Sequence, residues 1–251
     1  MLVQADDLGG MPDAVLVDAR PYGAYSKSHI PGAVNLDLFA FHWADTTPSG
    51  MEALAAQAAR YLSFAGVSAG RDVVFYDDVS GMLAARGLWL CRYLSHKRSY
   101  MLDGGMKKWL AGGRDTEQGT RAAEPGSLDP RPDMSVIAGF GEIRDRMGKI
   151  RLVDARAPPE YDGTVARAAS AGHIPGAVNI DWVRNVGEDG AFRDPGELRA
   201  IYGDGDAVTY CHGGYRAANA FVAMSLAGSK PRLYPGSWGE WGNLGLPASR
   251  G

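Results

Sequence analysis

The sequence predicts an α/β protein built from two tandem domains of one kind, each a short parallel sheet flanked by helices. Three observations carry that expectation. First, the chain is written twice. Val17-Asp18-Ala19-Arg20 returns as Val153-Asp154-Ala155-Arg156, and His29-Ile30-Pro31-Gly32-Ala33-Val34-Asn35 returns as His173-Ile174-Pro175-Gly176-Ala177-Val178-Asn179. Second, short apolar runs alternate with helix-like runs in both copies, as in parallel sheets covered by helices. Third, 251 residues suit two domains of ordinary size, and the repeat period is too long for a solenoid.

The elements follow in order. Copy one is expected over residues 1–115, with strands at Val15–Val17, Val34–Leu36, Val73–Tyr76 and Tyr100–Leu102. These are short and continuously apolar, as strands buried on both faces should be. Met51–Ala65 is an Ala-rich helix that Gly66 ends. Met82–Leu94 is an apolar helix directly after the third strand. Residues 116–134 are rich in Gly, Pro and charge and read as an extended linker wrapping one domain surface. Copy two is expected over residues 135–251, with strands at Leu152–Asp154, Val178–Ile180, Val208–Tyr210 and Arg232–Tyr234 and a helix over Arg216–Leu226.

Composition excludes several classes. Hydrophobic residues make up 45% and charged residues 22%, as in an ordinary folded domain. The net charge of -3 gives no electrostatic case for nucleic acid or an anionic membrane as partner. The two cysteines, Cys91 and Cys211, form no disulfide framework and no metal-ligand spacing, so neither metal nor cofactor is expected. Met1–Gly10 has no basic and apolar leader, and no apolar run reaches the length of a membrane span. The expected compartment is a reducing one, the cytoplasm.

One loop distinguishes the copies. Val73–Tyr76 is followed by Asp77, whereas Val208–Tyr210 is followed by Cys211. In open α/β sheets ligands bind beyond the carboxyl ends of the strands, and Cys211 stands there. In Cys211-His212-Gly213-Gly214-Tyr215-Arg216 the paired glycines let the backbone curl and turn its amides inward as an anion nest. The following helix adds its positive end, and Arg216 adds a permanent charge with forked donors. Such a loop stabilises a thiolate and offers donors to an oxyanion or to the outer sulfur of a persulfide. Copy one reads Asp77-Asp78-Val79-Ser80-Gly81-Met82 instead. It is expected to have lost the whole anion cradle and to be catalytically inactive, its two carboxylates repelling an anionic substrate. A buried structural cysteine is the competing reading of Cys211 and the preferred reading of Cys91, which lies in an apolar helix.

With both V-D-A-R segments, both H-I-P-G-A-V-N turns, the six-residue cysteine loop and Gly236-Ser237-Trp238-Gly239-Glu240-Trp241-Gly242-Asn243, the chain resembles the tandem-domain rhodaneses, a family of sulfurtransferases. The resemblance covers nearly the whole chain. It implies rhodanese-like domains, an inactive first copy, and sulfur transfer from thiosulfate to cyanide or a thiol through a Cys211 persulfide. His212, Gly213, Gly214, Tyr215 and Arg216 match the family loop that holds the outer sulfur. The implied partners are a small-molecule sulfur donor and acceptor, with an acceptor protein as a further option.

Two alternatives stay open within the resemblance: a 3-mercaptopyruvate sulfurtransferase, and a persulfide carrier serving one partner protein. Mercaptopyruvate enzymes typically have an Arg where this chain has Glu160, a poor partner for a substrate carboxylate. Arg216 within the loop favours thiosulfate. Cysteine phosphatases space Cys and Arg by one residue more, and the tighter loop suits sulfur better than a phosphoryl group.

Of the remaining residues, Trp238 is a candidate pocket wall, whereas Trp241 has a counterpart in Trp109 and reads as packing. Arg20 and Arg156 favour structural hydrogen bonds over substrate binding. His29 and His173 occur in both copies and favour a fold role. About eight extra residues between Arg156 and His173, with Arg167 as their one basic residue, are expected to rim the site.

Overall fold

The computed structural model describes residues 1–251 and contains two parallel sheets, each flanked by helices. Two compact units carry them. The first comprises Met1–Phe41, Leu54–Asp133 and Val186–Phe192, and the second comprises His42–Ala53, Met134–Asn185 and Arg193–Gly251. No helix is long and apolar enough to cross a membrane.

The first unit holds strands β1 (Leu2–Val3), β2 (Val15–Asp18), β3 (Val34–Asn35), β4 (Val73–Tyr76) and β5 (Ser99–Leu102). They pair in parallel in the order β1-β5-β4-β2-β3. Its helices are α1 (Tyr22–Tyr25), the greater part of α2 (Pro48–Phe64), α3 (Met82–Tyr93) and α4 (Gly105–Ala111). The middle strand β4, Val-Val-Phe-Tyr, is buried at every position, so it carries no polar alternation. The one strand the sequence pattern does not reveal is β1, whose two residues are too few to show a period.

The second unit repeats the plan with β6 (Leu152–Asp154), β7 (Val178–Asn179), β8 (Val208–Tyr210) and β9 (Arg232–Leu233), in the order β7-β6-β8-β9. Around them lie α5 (Phe140–Asp145), α6 (Pro158–Tyr161), α7 (Pro195–Tyr202), α8 (Tyr215–Leu226) and α9 (Ser237–Asn243). Its core includes Ile143, Leu152, Ile174, Val208, Tyr210, Tyr234, Trp238 and Trp241. Residues 116–133 run along the first unit in extended form. Glu117 pairs with His29, and Gly126 and Asp133 donate their amides to Ser63 and Tyr93.

The repeated motifs share one construction. In the first unit Arg20 donates from Nε and one terminal nitrogen to both carboxylate oxygens of Asp18, at 2.6–3.1 Å, and from that nitrogen to the Ser28 carbonyl at 2.7 Å. In the second, Arg156 does the same to Asp154 and to the Gly172 carbonyl. Asn35 and Asn179 each donate to the backbone carbonyls of both members of the pair, and the Ile30 and Ile174 amides donate to the Tyr76 and Tyr210 hydroxyls. A buried arginine thus ties the end of a strand to the turn that begins H-I-P-G. His29 and His173 complete that turn, each stacking on a tyrosine and contacting that tyrosine's carbonyl through Nδ1. The fold role expected for both histidines and both arginines is what the structure shows.

Since Asp154 is fully buried, removing its charge strands Arg156 without a counter-ion. Asp154→Asn is expected to cost about 3–5 kcal/mol, as broken buried pairs do. Urea unfolding followed by fluorescence measures it, and a loss below about 1 kcal/mol would contradict a structural role for the pair.

Candidate active site

The loop after β8 is held from α9 and the turn before it. The Cys211 amide donates to Ser237 Oγ at 3.1 Å, and the Ser237 hydroxyl donates to the Tyr234 carbonyl. The carbonyls of Cys211 and His212 accept the amides of Trp238 and Gly239, both on α9, at 2.9 and 2.8 Å. Gly214 then reverses the chain at φ 86°, a left-handed conformation that side chains disfavour, and caps the twelve-residue helix α8. Its amide donates to Cys211 Sγ at 3.1 Å. The sulfur therefore sits at the positive end of a helix, in a site where Cys211 is 1% exposed.

Arg216, on the first turn of α8, interacts with Cys211 and also with a carboxylate. Its two terminal nitrogens donate to the two oxygens of Glu160, at 2.5 and 3.0 Å. Arg167, from the segment between Arg156 and His173, lies 3.4 Å from the same carboxylate. Burial opposes ionisation of Glu160, but the hydrogen bonds and charge of Arg216 outweigh it and hold the carboxyl below its ordinary range. Burial, followed by the nearby Arg216 charge, lowers the His212 pKa, so its imidazole is neutral at neutral pH. His212 Nδ1 is buried and makes no hydrogen bond to the protein.

The first unit shows what the same cradle does with a carboxylate. Asp77 takes the position after β4, and its Oδ1 accepts the amides of Val79 and Gly81 at 3.0 and 2.8 Å. Its Oδ2 accepts those of Leu83 and Ala84 at 2.7 and 2.8 Å. Gly81, at φ 79°, caps α3 as Gly214 caps α8. The expectation that copy one had lost its cradle is therefore corrected. The cradle is present and is filled by the chain's own carboxylate. Matching the two caps aligns Leu83 and Ala84 with Arg216 and Ala217. As amides of a first helical turn, those of Arg216 and Ala217 have no acceptor within their helix.

The other residues expected at the site divide. Gly213 and Tyr215 lie in the loop with Cys211, His212, Gly214 and Arg216. The Trp238 ring lies in the core, its Nε1 donating to the Ser170 carbonyl and its face 4.9 Å from the Arg156 guanidinium carbon. What Trp238 brings to the loop is its backbone amide. The extra residues of copy two pack on α9 through Ala169, whose amide donates to Asn243. Three features lie outside the sequence reading: the Glu160 fork on Arg216, the burial of Thr46 against Glu240, and His42 beside Gly213. Thr46 and Glu240 are 194 positions apart, so no local pattern reports their contact.

Comparison with known proteins agrees with this construction. The rhodanese-like domain matches twice, over residues 3–112 and 140–244. The chain is 35% identical to a probable 3-mercaptopyruvate sulfurtransferase of Pseudomonas aeruginosa, over 92% of this chain and 89% of that protein. It is 32% identical to the sulfur carrier protein TtuD of Thermus thermophilus, over 90% and 87%. The crystal structure of a probable thiosulfate sulfurtransferase superposes with a TM-score of 0.72 at 27% identity, covering 94% of this chain and 96% of that one. Two domain matches that span most of the chain, on two sheets of one plan, establish that the protein belongs to the rhodanese family.

Proposed function

We propose that the protein is a thiosulfate sulfurtransferase working through a persulfide on Cys211. The observation that carries this reading is the sulfur itself, held at the amino end of α8 by the Gly214 amide with Arg216 beside it. The site has the geometry of an anion cradle whose centre is a nucleophile.

In the first half-reaction the Cys211 thiolate attacks the outer sulfur of thiosulfate. A sulfur–sulfur bond forms at Cys211, the bond within thiosulfate breaks, and its electron pair leaves with sulfite. The product persulfide carries one negative charge on its outer sulfur. The first-turn amides of Arg216 and Ala217 correspond to those that hold Asp77 Oδ2 in the first unit, and they supply donors to that charge. In the second half-reaction cyanide or a thiolate attacks the outer sulfur, and the electron pair of the persulfide bond returns to Cys211 as thiolate. His212, neutral beside Arg216, adds no charge, and neither step requires it as a base. The first unit, its cradle filled by Asp77, takes no part in the chemistry.

Glu160 supports thiosulfate over mercaptopyruvate. It presents a carboxylate where a mercaptopyruvate carboxylate would need a cation, and it occupies the Arg216 fork. Glu160 is a positioning residue that keeps the guanidinium aimed at the loop. Since its folded pKa is depressed, the latch is complete above the ordinary glutamate value and opens only as pH falls through the lower folded value. A second reading, a persulfide carrier for a partner protein, is favoured by the likeness to the sulfur carrier from Thermus. Rapid turnover with cyanide and no added protein supports the enzyme. Turnover that appears only with an acceptor protein supports the carrier.

Cys211→Ser is expected to abolish thiocyanate formation from thiosulfate and cyanide while the circular dichroism spectrum is retained. Turnover in that variant would remove Cys211 from the mechanism. Wild-type kcat/KM is expected to be higher for thiosulfate than for mercaptopyruvate, and the reverse order would overturn the donor assignment. Glu160→Gln is expected to lower kcat/KM for thiosulfate about tenfold, the worth of one charge-assisted hydrogen bond. A rise would mean that Glu160 only neutralises Arg216.

A further inference from the structure

The second unit has a cavity at the end of its sheet away from Cys211. It measures about 720 Å³, a size usual for small-molecule sites. Its floor is apolar: Ala207 and Val208 at the start of β8, Phe221 on α8 and Pro231 before β9, all buried. Cys211 follows the other end of β8, so the cavity and the cysteine loop lie at opposite ends of one strand. Helix α8 joins them, with Gly214 capping it beside the sulfur and Phe221 and Ser225 lining the cavity.

The rim is basic. Arg146, Lys149, Arg151, Lys230 and Arg232 line it, and Asp206 is its one acidic lining residue. Glu142 neutralises part of this charge, accepting Arg146 at 2.9 Å and Arg232 at 2.7 Å. Five cations thus stand against two carboxylates, an excess of three in a chain whose net charge is -3. Arg151 donates to the carbonyls of Tyr202, Asp204 and Gly205, which carry no net charge to offset its own. Lys149 and Lys230 are exposed, and neither ammonium has a carboxylate oxygen within 4.0 Å. The nearby end of α8 does not account for them, because Arg199 already meets it, donating from Nε and a terminal nitrogen to the Ala227 carbonyl at 3.2 and 3.1 Å. Like charges gathered round one apolar hollow repel one another until an anion arrives.

We propose that this cavity is a binding site for a nucleoside diphosphate, the apolar floor taking its base and the basic rim its phosphates. Such a ligand carries about three negative charges at neutral pH, close to two of them on the terminal phosphate, which matches the excess on the rim. An inorganic anion would leave the apolar floor uncovered, and an apolar ligand would leave the cations unmatched. The guanidinium forks of Arg146 and Arg232 and the compact ammonium groups of Lys149 and Lys230 are the two kinds of donor that phosphates take. The site does not rest on sulfur transfer, since no residue lining it belongs to the cysteine loop.

Isothermal titration of the full chain with ADP tests the site. ADP is expected to bind one to a chain, and adenosine and pyrophosphate, each keeping one part of the ligand, to bind about tenfold more weakly or worse. Lys149→Glu combined with Lys230→Glu reverses the two unpaired rim charges and should weaken ADP about tenfold or more, the usual worth of a hydrogen bond to a charged group. Ser229→Trp fills the cavity without changing its charge and should weaken ADP in the same way. Both variants alter exposed or half-buried positions and should keep the wild-type circular dichroism spectrum. Excess thiosulfate should leave the ADP affinity unchanged. No binding at about 1 mM ADP, pyrophosphate binding as tightly as ADP, or wild-type ADP affinity in either folded variant would overturn the proposal. Displacement of ADP by thiosulfate would overturn it too, by moving the bound ADP to the Cys211 loop, and none of these results bears on the sulfur-transfer reading.

Discussion

The end of a central strand in each unit is held by a buried ion pair, made once in each. Arg20 with Asp18, and Arg156 with Asp154, join the carboxyl end of a central strand to the turn that returns to its neighbour. Each arginine is nearly inaccessible and each aspartate fully so, one terminal nitrogen of each guanidinium also donates to a backbone carbonyl, and the other of Arg20 donates to Asp78. A charge pair taken out of water is retained where hydrogen bonds offset its desolvation, and each aspartate here accepts three from its arginine side chain. The pair fixes where β2 and β6 stop and therefore where β4 and β8, bonded beside them, deliver Asp77 and Cys211.

On that shared frame the two loops differ: the first has Asp77 where the second has Cys211, one residue more before its capping glycine, and Leu83 where the second has Arg216. Both present a ring of amides around the start of a helix capped by a left-handed glycine. In the first, four amides close on the Asp77 carboxylate. In the second, the shorter and polarisable cysteine takes one amide at its sulfur. A carboxylate that carries its own two oxygens completes a cradle from within. A lone sulfur atom leaves room for what the proposed chemistry brings, a second sulfur with its charge. The inactivity proposed for the first unit thus follows from occupancy, with the architecture of the site kept.

Much of this was legible in the sequence because it is local. Val73–Tyr76, Leu152–Asp154 and Val208–Tyr210 are observed as strands with the bounds their apolar runs indicate, since central parallel strands are buried on both faces and need no long-range information to be recognised. The loop from Cys211 to Arg216 is six consecutive residues, so its glycines, its helix start and its arginine could be read together. What depends on distant pairing was hidden. Glu160 was noticed as a missing cation, but its fork on Arg216 joins positions 56 apart. The Thr46–Glu240 anchor has no periodic signature. The placement of Trp238 also turned on tertiary packing, because its ring lies against the Arg156 guanidinium. For Asp77 a signal was present: a carboxylate directly before a turn and a helix start is suited to accept that helix's first amides.

The central claim is that Cys211 carries sulfur covalently, and intact-protein mass spectrometry tests it most directly. Protein incubated with thiosulfate and freed of excess donor should gain about 32 Da, one sulfur atom, located on the peptide that contains Cys211. Brief exposure to cyanide should return it to its starting mass. A protein that keeps its original mass after thiosulfate, or that gains the sulfur on Cys91, would contradict the account.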